Sequence, residues 1–285
     1  MKLNLDCVPC FQRQALQAIR FVSIDEETHE ELLRKVMQKL LELKWDSTPP
    51  ELAREVHRLV RSYTGERDPY ERVKDESNRE ALKLYPRMKE MVEASNDPLV
   101  TAARIAIAGN IIDFGATPEY DLEATISEVL EKKFAVDATE KFRRRLSGAS
   151  TVLYFLDNAG EIVFDRLLVE TMAREREFES VDFVVKGGPI LNDATFVDAK
   201  SVGLDMISNS SFLTITNGDP GTGPARKSSE VRLWIKEHDI TISKGQGNYE
   251  EMSEYGDIFF LLIAKCPLIA RDIMVDVGDI VFHTG

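Results

Sequence analysis

Apolar positions recur along this chain with two different periods, and the change from one to the other divides it. In "DEETHEELLRKVMQKLLELK" the residues Leu32, Leu33, Val36, Leu40 and Leu43 fall three and four apart, which predicts an amphipathic helix. "STPPELAREVHRLVRSYTG" predicts another, with Pro49 and Pro50 in its first turn and Gly65 after its last. Further helices are predicted from Pro69 to about Ala94 with a break at Pro86, from Asp97 to about Ala108, and from Asp121 to Lys133. Residues 1–148 thus read as an all-helical domain whose charge runs are solvated faces. No repeat period appears.

From Thr151 the pattern becomes short β-branched or aromatic runs separated by helical stretches. Candidate strands are "TVLYFLD", "VDFVVK", "LDMIS", "ITISK" and "DIFFLLIAK", with a terminal piece "DIVFH". Runs this apolar, alternating with helices, predict a mostly parallel sheet covered on both faces, so residues 149–285 read as an α/β domain. In such sheets ligands bind beyond the carboxyl ends of the strands. The expected ends are polar: Asp157 and Asn158, Lys186 before "GGP", Ser208 and Asn209, Lys244 before "GQGN", and Lys265. Two oxygen ligands and three lysines on neighbouring ends suggest one site.

Composition narrows the partners. The chain has 285 residues and a formal net charge of −13, spread along its length, which argues against nucleic acid and anionic membranes. No apolar run approaches the roughly 18 residues of a membrane span, and "MKLNLDC" does not read as a signal peptide, so a cytoplasmic protein is expected. Three cysteines suit a reducing compartment better than a disulfide framework.

Asp157 and Asn158 offer a carboxylate and an amide oxygen, ligands for a hard cation such as Mg2+ or Mn2+. Asn192 and Asp193 follow the glycine turn of Gly187 and Gly188, whose backbone amides can face a ligand. Asp193 lies about one βαβ unit after Asp157, close enough to share a site. The competing reading makes these residues caps of the helices that follow. Lysines at strand ends suit a phosphate, though Lys244 and Lys265 also read as ordinary surface cations. "IAIAGNIIDFG" is apolar on nearly all sides yet carries Asn110 and Asp113, which are either a satisfied buried pair or groups aimed at the site. "CVPC", Cys7 to Cys10, has too few residues before it for a thioredoxin strand and reads as packing cysteines opening a helix. The four histidines show no ligand spacing. "NGDPGTGPA" lacks the order of a dinucleotide fingerprint and reads as a wide turn or a flap.

Together, Cys7-Val-Pro-Cys10 with Gln14-Ala15, Ala108-Gly109-Asn110 with Asp113-Phe114, Asp157-Asn158-Ala-Gly-Glu161, Lys186-Gly-Gly-Pro189 with Asn192-Asp193, and Ser243-Lys244-Gly-Gln-Gly247-Asn248 resemble the metal-dependent damage-control phosphatases, formerly domain of unknown function 89. The five ordered motifs span nearly the whole chain, and the Cys-x-x-Cys start resembles one subgroup. The resemblance implies a Rossmann-like three-layer α/β/α core carrying a helical N-terminal part. It also implies hydrolysis of small phosphate monoesters (sugar phosphates, phosphopantetheine derivatives or damaged metabolites) with Mn2+, Co2+, Ni2+ or Mg2+. By that likeness Asp157, Asn158 and Asp193 map onto the metal ligands, and Asn110, Asp113, Lys244 and Lys265 onto the pocket. Asp157, Asp193, Lys244 and Lys265 are then the expected catalytic groups. Glu161, Lys186, Gly187, Gly188, Asn192, Gly245 and Asn248, from the same motifs, join Asn110 and Asp113 as expected substrate-binding residues. A carboxyl methyltransferase of similar fold and a non-catalytic metabolite binder stand as alternatives.

Overall fold

The structure is a computed structural model that describes residues 1–22, 25–65, 67–110, 128–215 and 228–285. Its centre is a seven-stranded sheet of order β1-β7-β6-β5-β2-β3-β4. The strands are β1 (Val136–Asp137), β2 (Thr151–Phe155), β3 (Ser180–Lys186), β4 (Ser210–Ile215), β5 (Ile240–Lys244), β6 (Ile258–Ile263) and β7 (Ile280–Thr284). All neighbours run parallel except β6 and β7.

Alternate residues of each strand enter different cores, as the pleat requires. Val152 and Tyr154, Phe183 and Val185, and Phe259 and Leu261 pack into one core together with helices Glu71–Ala94 (α4), Pro98–Ala108 (α5), Thr139–Leu146 (α6) and Glu161–Glu175 (α7). Leu153, Phe155, Phe260 and Leu262 enter the other. That second core takes Val231 from Ser229–Glu237 (α9), Tyr249 from Gln246–Met252 (α10) and Ile269 from Pro267–Ile273 (α11). The short helix α8 (Phe196–Ser201) follows β3. The result is three layers, α/β/α. The first three helices, Cys7–Val22 (α1), Glu26–Leu41 (α2) and Pro49–Thr64 (α3), have small cores of their own, built on Phe11, Val36 and Val56 and on Ile19, Leu32 and Val60.

Three expectations need correction. "LDMIS" is a 3-10 turn at Leu204–Met206, and the strand comes later, so Ser208 and Asn209 precede β4 instead of ending a strand. Helix α4 runs unbroken through Pro86, whose ring lies on the exposed side, where water can serve the carbonyl it leaves unbonded. The first 148 residues are not purely helical, because Val136–Asp137 joins the sheet beside β7. Of the helix expected over 121–133, residues 128–131 are helical and the rest lies outside the described residues. Asp113 and the turn "NGDPGTGPA" also lie outside them.

Candidate active site

Chain order sets the position of the site. From β2 the chain moves outward to β3 and β4, then crosses back to β5 and β6 on the other side of β2. The connections leaving β2 and β5 therefore diverge, and a crevice opens at their carboxyl ends. Asp157 and Asn158 lie at the end of β2, and Lys244 ends β5.

Neither acid is used as a helix cap. Helix α7 has Gly160 at its N-cap, φ 80°, with no side-chain cap, and the Gly160 N–H donates to Asn78 Oδ1 at 2.6 Å. Helix α8 is capped by Thr195 and Asp198. Instead the two loops are stitched together. Asn158 and Asp193 pair as an isolated antiparallel bridge, Ala194 N–H donates to the Asp157 carbonyl at 2.7 Å, and Ala159 N–H to the Asn192 carbonyl at 2.9 Å. Asp157, Asn158, Asn192 and Asp193 consequently line one cleft of about 570 Å³.

The acids in this cleft are electrostatically crowded. Asn110, just past the end of α5, donates through Nδ2 to Asp157 Oδ2 at 2.9 Å and to Glu161 Oε2, and Asn158 Nδ2 donates to the same Asp157 oxygen at 2.8 Å. Burial, then the charges of Glu161 and Asp193, push the Asp157 carboxyl up to about 8. Asp193 is pushed up by burial too, although Lys186 Nζ lies 3.6 Å away and pulls the other way. Among the described residues no three His, Cys, Asp or Glu side chains converge as a metal-ligand set. Where the two loops meet, the cleft offers the Asp157 and Asp193 carboxylates and the Asn158 amide, all hard oxygen donors, with Asp157 raised in part by the charge of Asp193. That donor set fits a hard divalent cation.

The damage-control phosphatase ARMT1-like domain matches residues 3–281. The chain belongs to this family. It is 35% identical to a damage-control phosphatase of Archaeoglobus fulgidus, over 99% of this chain and 98% of that one. A damage-control phosphatase of Pyrococcus horikoshii is 31% identical, over 99% and 97% respectively. A crystal structure of a domain of unknown function 89 family protein from the same Pyrococcus superposes with a TM-score of 0.87 at 30% identity, covering 100% of this chain and 99% of that one.

Within this family member the expected site residues separate into two layers. Asn110, Asp157, Asn158, Lys186, Asn192, Asp193 and Lys265 line the cleft. Lys265 reaches across it, its ammonium donating to the Asn110 carbonyl at 2.6 Å. Lys244, Glu161 and Asn248 instead stand behind the wall. Lys244 is fully buried, and its three donors go to Glu161 Oε1 at 2.6 Å, Asp165 Oδ1 at 2.6 Å and the Ala106 carbonyl at 2.8 Å. Burial opposes its charge, but Asp165 and Glu161 outweigh that and hold Lys244 up at about 12, so it stays protonated. Asn248 ties the Leu156 and Lys244 carbonyls, each at 2.9 Å, to Lys186 Nζ at 3.2 Å. Gly245 is at φ 78°, and a Cβ there would overlap the Asp157 carboxylate, so the close approach needs glycine. Gly187 and Gly188 do not line the cleft, and the Gly187 N–H is spent on the Ile215 carbonyl at 3.0 Å.

Asp165 and Tyr154 escaped the sequence reading. The Tyr154 hydroxyl donates to Asp165 Oδ1 at 2.9 Å, below Lys244. A signal was present: Glu161 and Asp165 are acids four apart on a helix otherwise apolar around them, a pair that needs a buried cation.

Proposed function

We propose that this chain is a phosphatase that hydrolyses small phosphate monoesters and depends on a divalent cation, Mn2+, Co2+, Ni2+ or Mg2+, held by Asp157, Asn158 and Asp193. The observation that carries the reading is the convergence of Asp157 and Asp193, from loops after different strands, on one cleft that also receives two lysines. The names of the Archaeoglobus and Pyrococcus relatives support the reaction class.

A bound divalent ion would screen phosphate oxygens and sharpen a nucleophile at neutral pH. The chain's own groups do the rest. Lys265 and Lys186 give point charges for the phosphate, which Lys265 reaches by exchanging its bond to the Asn110 carbonyl. The Asn110 and Asn158 amides fix the Asp157 carboxylate, and Glu161, anchored from behind by Lys244, fixes both amides. Preset geometry of this kind is how phosphoryl transfer is accelerated when little covalent work falls to the protein. The cleft volume suits sugar phosphates, phosphopantetheine-like esters or damaged metabolites. Three unpaired cysteines fit a reducing cytoplasm.

The test is release of inorganic phosphate from p-nitrophenyl phosphate and a panel of sugar phosphates, with each metal in turn and with a chelator. Turnover that appears with metal and vanishes with chelator is expected. Equal turnover in both, or none with any metal, contradicts the proposal.

A further inference from the structure

Three thiols at the cleft have no part in phosphatase chemistry. Cys7 and Cys10 lie in the first turn of α1, and Cys266 immediately precedes α11. All three line the cleft and all are free. Each sulfur accepts a hydrogen bond: Cys7 from the Asn4 N–H at 3.4 Å, Cys10 from Gln14 Nε2 at 3.6 Å and Cys266 from Gln246 Nε2 at 3.4 Å. Gln14 lines the cleft, and its Oε1 is buried without a hydrogen-bond partner, so the Cys10 sulfur is what orients that amide. Residues three apart on an α-helix have Cα atoms about 5 Å apart, within the range a disulfide spans. Cys10 is exposed and Cys7 half-buried, which gives one thiol open to an oxidant and a second beside it to resolve the adduct. Partial burial pushes both thiols up, so the resting pair is protonated.

We infer that Cys7 and Cys10 form a redox-modifiable dithiol on the wall of the active cleft, closed to a disulfide within one helical turn by small disulfides such as oxidised glutathione. Cys10 gives its proton to solvent, and its sulfur attacks one sulfur of the glutathione disulfide, expelling one glutathione thiolate. Cys7, deprotonated in turn, attacks the Cys10 sulfur of the mixed disulfide and expels the second. Two protein thiols are oxidised to one disulfide, one glutathione disulfide is reduced to two thiols, and the protons balance. The Cys10 sulfur then turns toward Cys7 and leaves the Gln14 amide, which loses its place on the cleft wall. The oxidised form therefore turns over more slowly. That consequence rests on the function proposed above, whereas the disulfide itself does not.

The experiment treats the full chain with oxidised glutathione, weighs the tryptic peptide of residues 3–13, which holds both cysteines, and measures metal-dependent phosphate release before and after dithiothreitol. The expected peptide is lighter by two hydrogens, also in Cys266→Ser. Turnover falls about tenfold, in keeping with the cost of a small misplacement in a positioned site, and dithiothreitol restores it. Cys10→Ser should turn over equally with and without the oxidant. An unchanged peptide mass, a stable glutathione adduct, or a bridge to Cys266 overturns the inference. A disulfide that leaves turnover unchanged overturns its link to the cleft. If the reduced chain shows no turnover at all, the proposed function fails, and the peptide mass alone decides the thiol site.

Discussion

Lys244 shows how far the surroundings of one residue change its meaning. A lysine at a strand end invites a phosphate, yet this one is fully buried and saturated by Glu161, Asp165 and the Ala106 carbonyl. Strand parity carries the reason. Ile240 and Ile242 face the core shared with α5 and α7, and Lys244, two residues on, points the same way. Removing one partner of a buried ion pair leaves charge without compensation, which costs about 3–5 kcal/mol. Lys244→Met, which strands both Glu161 and Asp165, should therefore lower unfolding free energy by about that amount in a urea titration. A lysine that only held phosphate would instead leave stability intact and raise KM.

At the scale of elements, much was legible and the misses have a common cause. The inner strands β2, β3, β5 and β6 are covered on both faces, so their sequences are continuous apolar runs that advertise themselves. Strand β4 sits at the sheet edge with a half-polar sequence, "SSFLTI", and the more apolar "LDMIS" before it drew the assignment away. Asp157, Asn158 and Asn110 stood out because polar groups broke otherwise apolar runs, and Asp193 because it follows a glycine turn about one βαβ unit after Asp157. The second layer, Asn248 and Lys244, was not, since residue type does not say whether a group faces a cleft or holds its wall. Element docking also makes a prediction. Lys74 of α4 pairs with Asp198 of α8 at 3.0 Å and with Asp68 at 2.7 Å, both in largely buried surroundings, and Asp198 caps the helix just after the Asp193 loop. Lys74→Met should cost about 3 kcal/mol or more. Hydrogen exchange should rise first across residues 190–201, and uniform exchange across the sheet would contradict this local anchoring.

For the whole molecule, the buried acids set the dependence of stability on pH. Asp157 is pushed up to about 8 by burial and by Glu161 and Asp193, and Glu250 to about 7 by burial. In the unfolded chain both sit near the ordinary value of about 4, so between these limits the folded state binds more protons, and stability falls as pH rises. His57 works oppositely: burial lowers it to about 3, so its penalty on folding fades by its ordinary 6.5 and is absent above. From pH 6.5 to 8 the acids act alone among these three, and the metal-free protein should lose melting temperature across that window. A divalent cation that stabilises the ionised Asp157 should flatten the decline, and a metal-free curve that rises instead would contradict the burial of uncompensated acids.

The proposed function rests on one cation shared by Asp157 and Asp193, and its most direct measurement is Mn2+ binding to the metal-free chain by calorimetry, for the wild type and for Asp157→Asn and Asp193→Asn. One ion per wild-type chain is expected. Each variant should lose binding and metal-dependent turnover together, and Asp157→Asn should remain as stable as the metal-free wild type, or more stable, because an acid crowded by Glu161 and Asp193 has been neutralised. Variants that still take up one Mn2+ with wild-type affinity would contradict the claim.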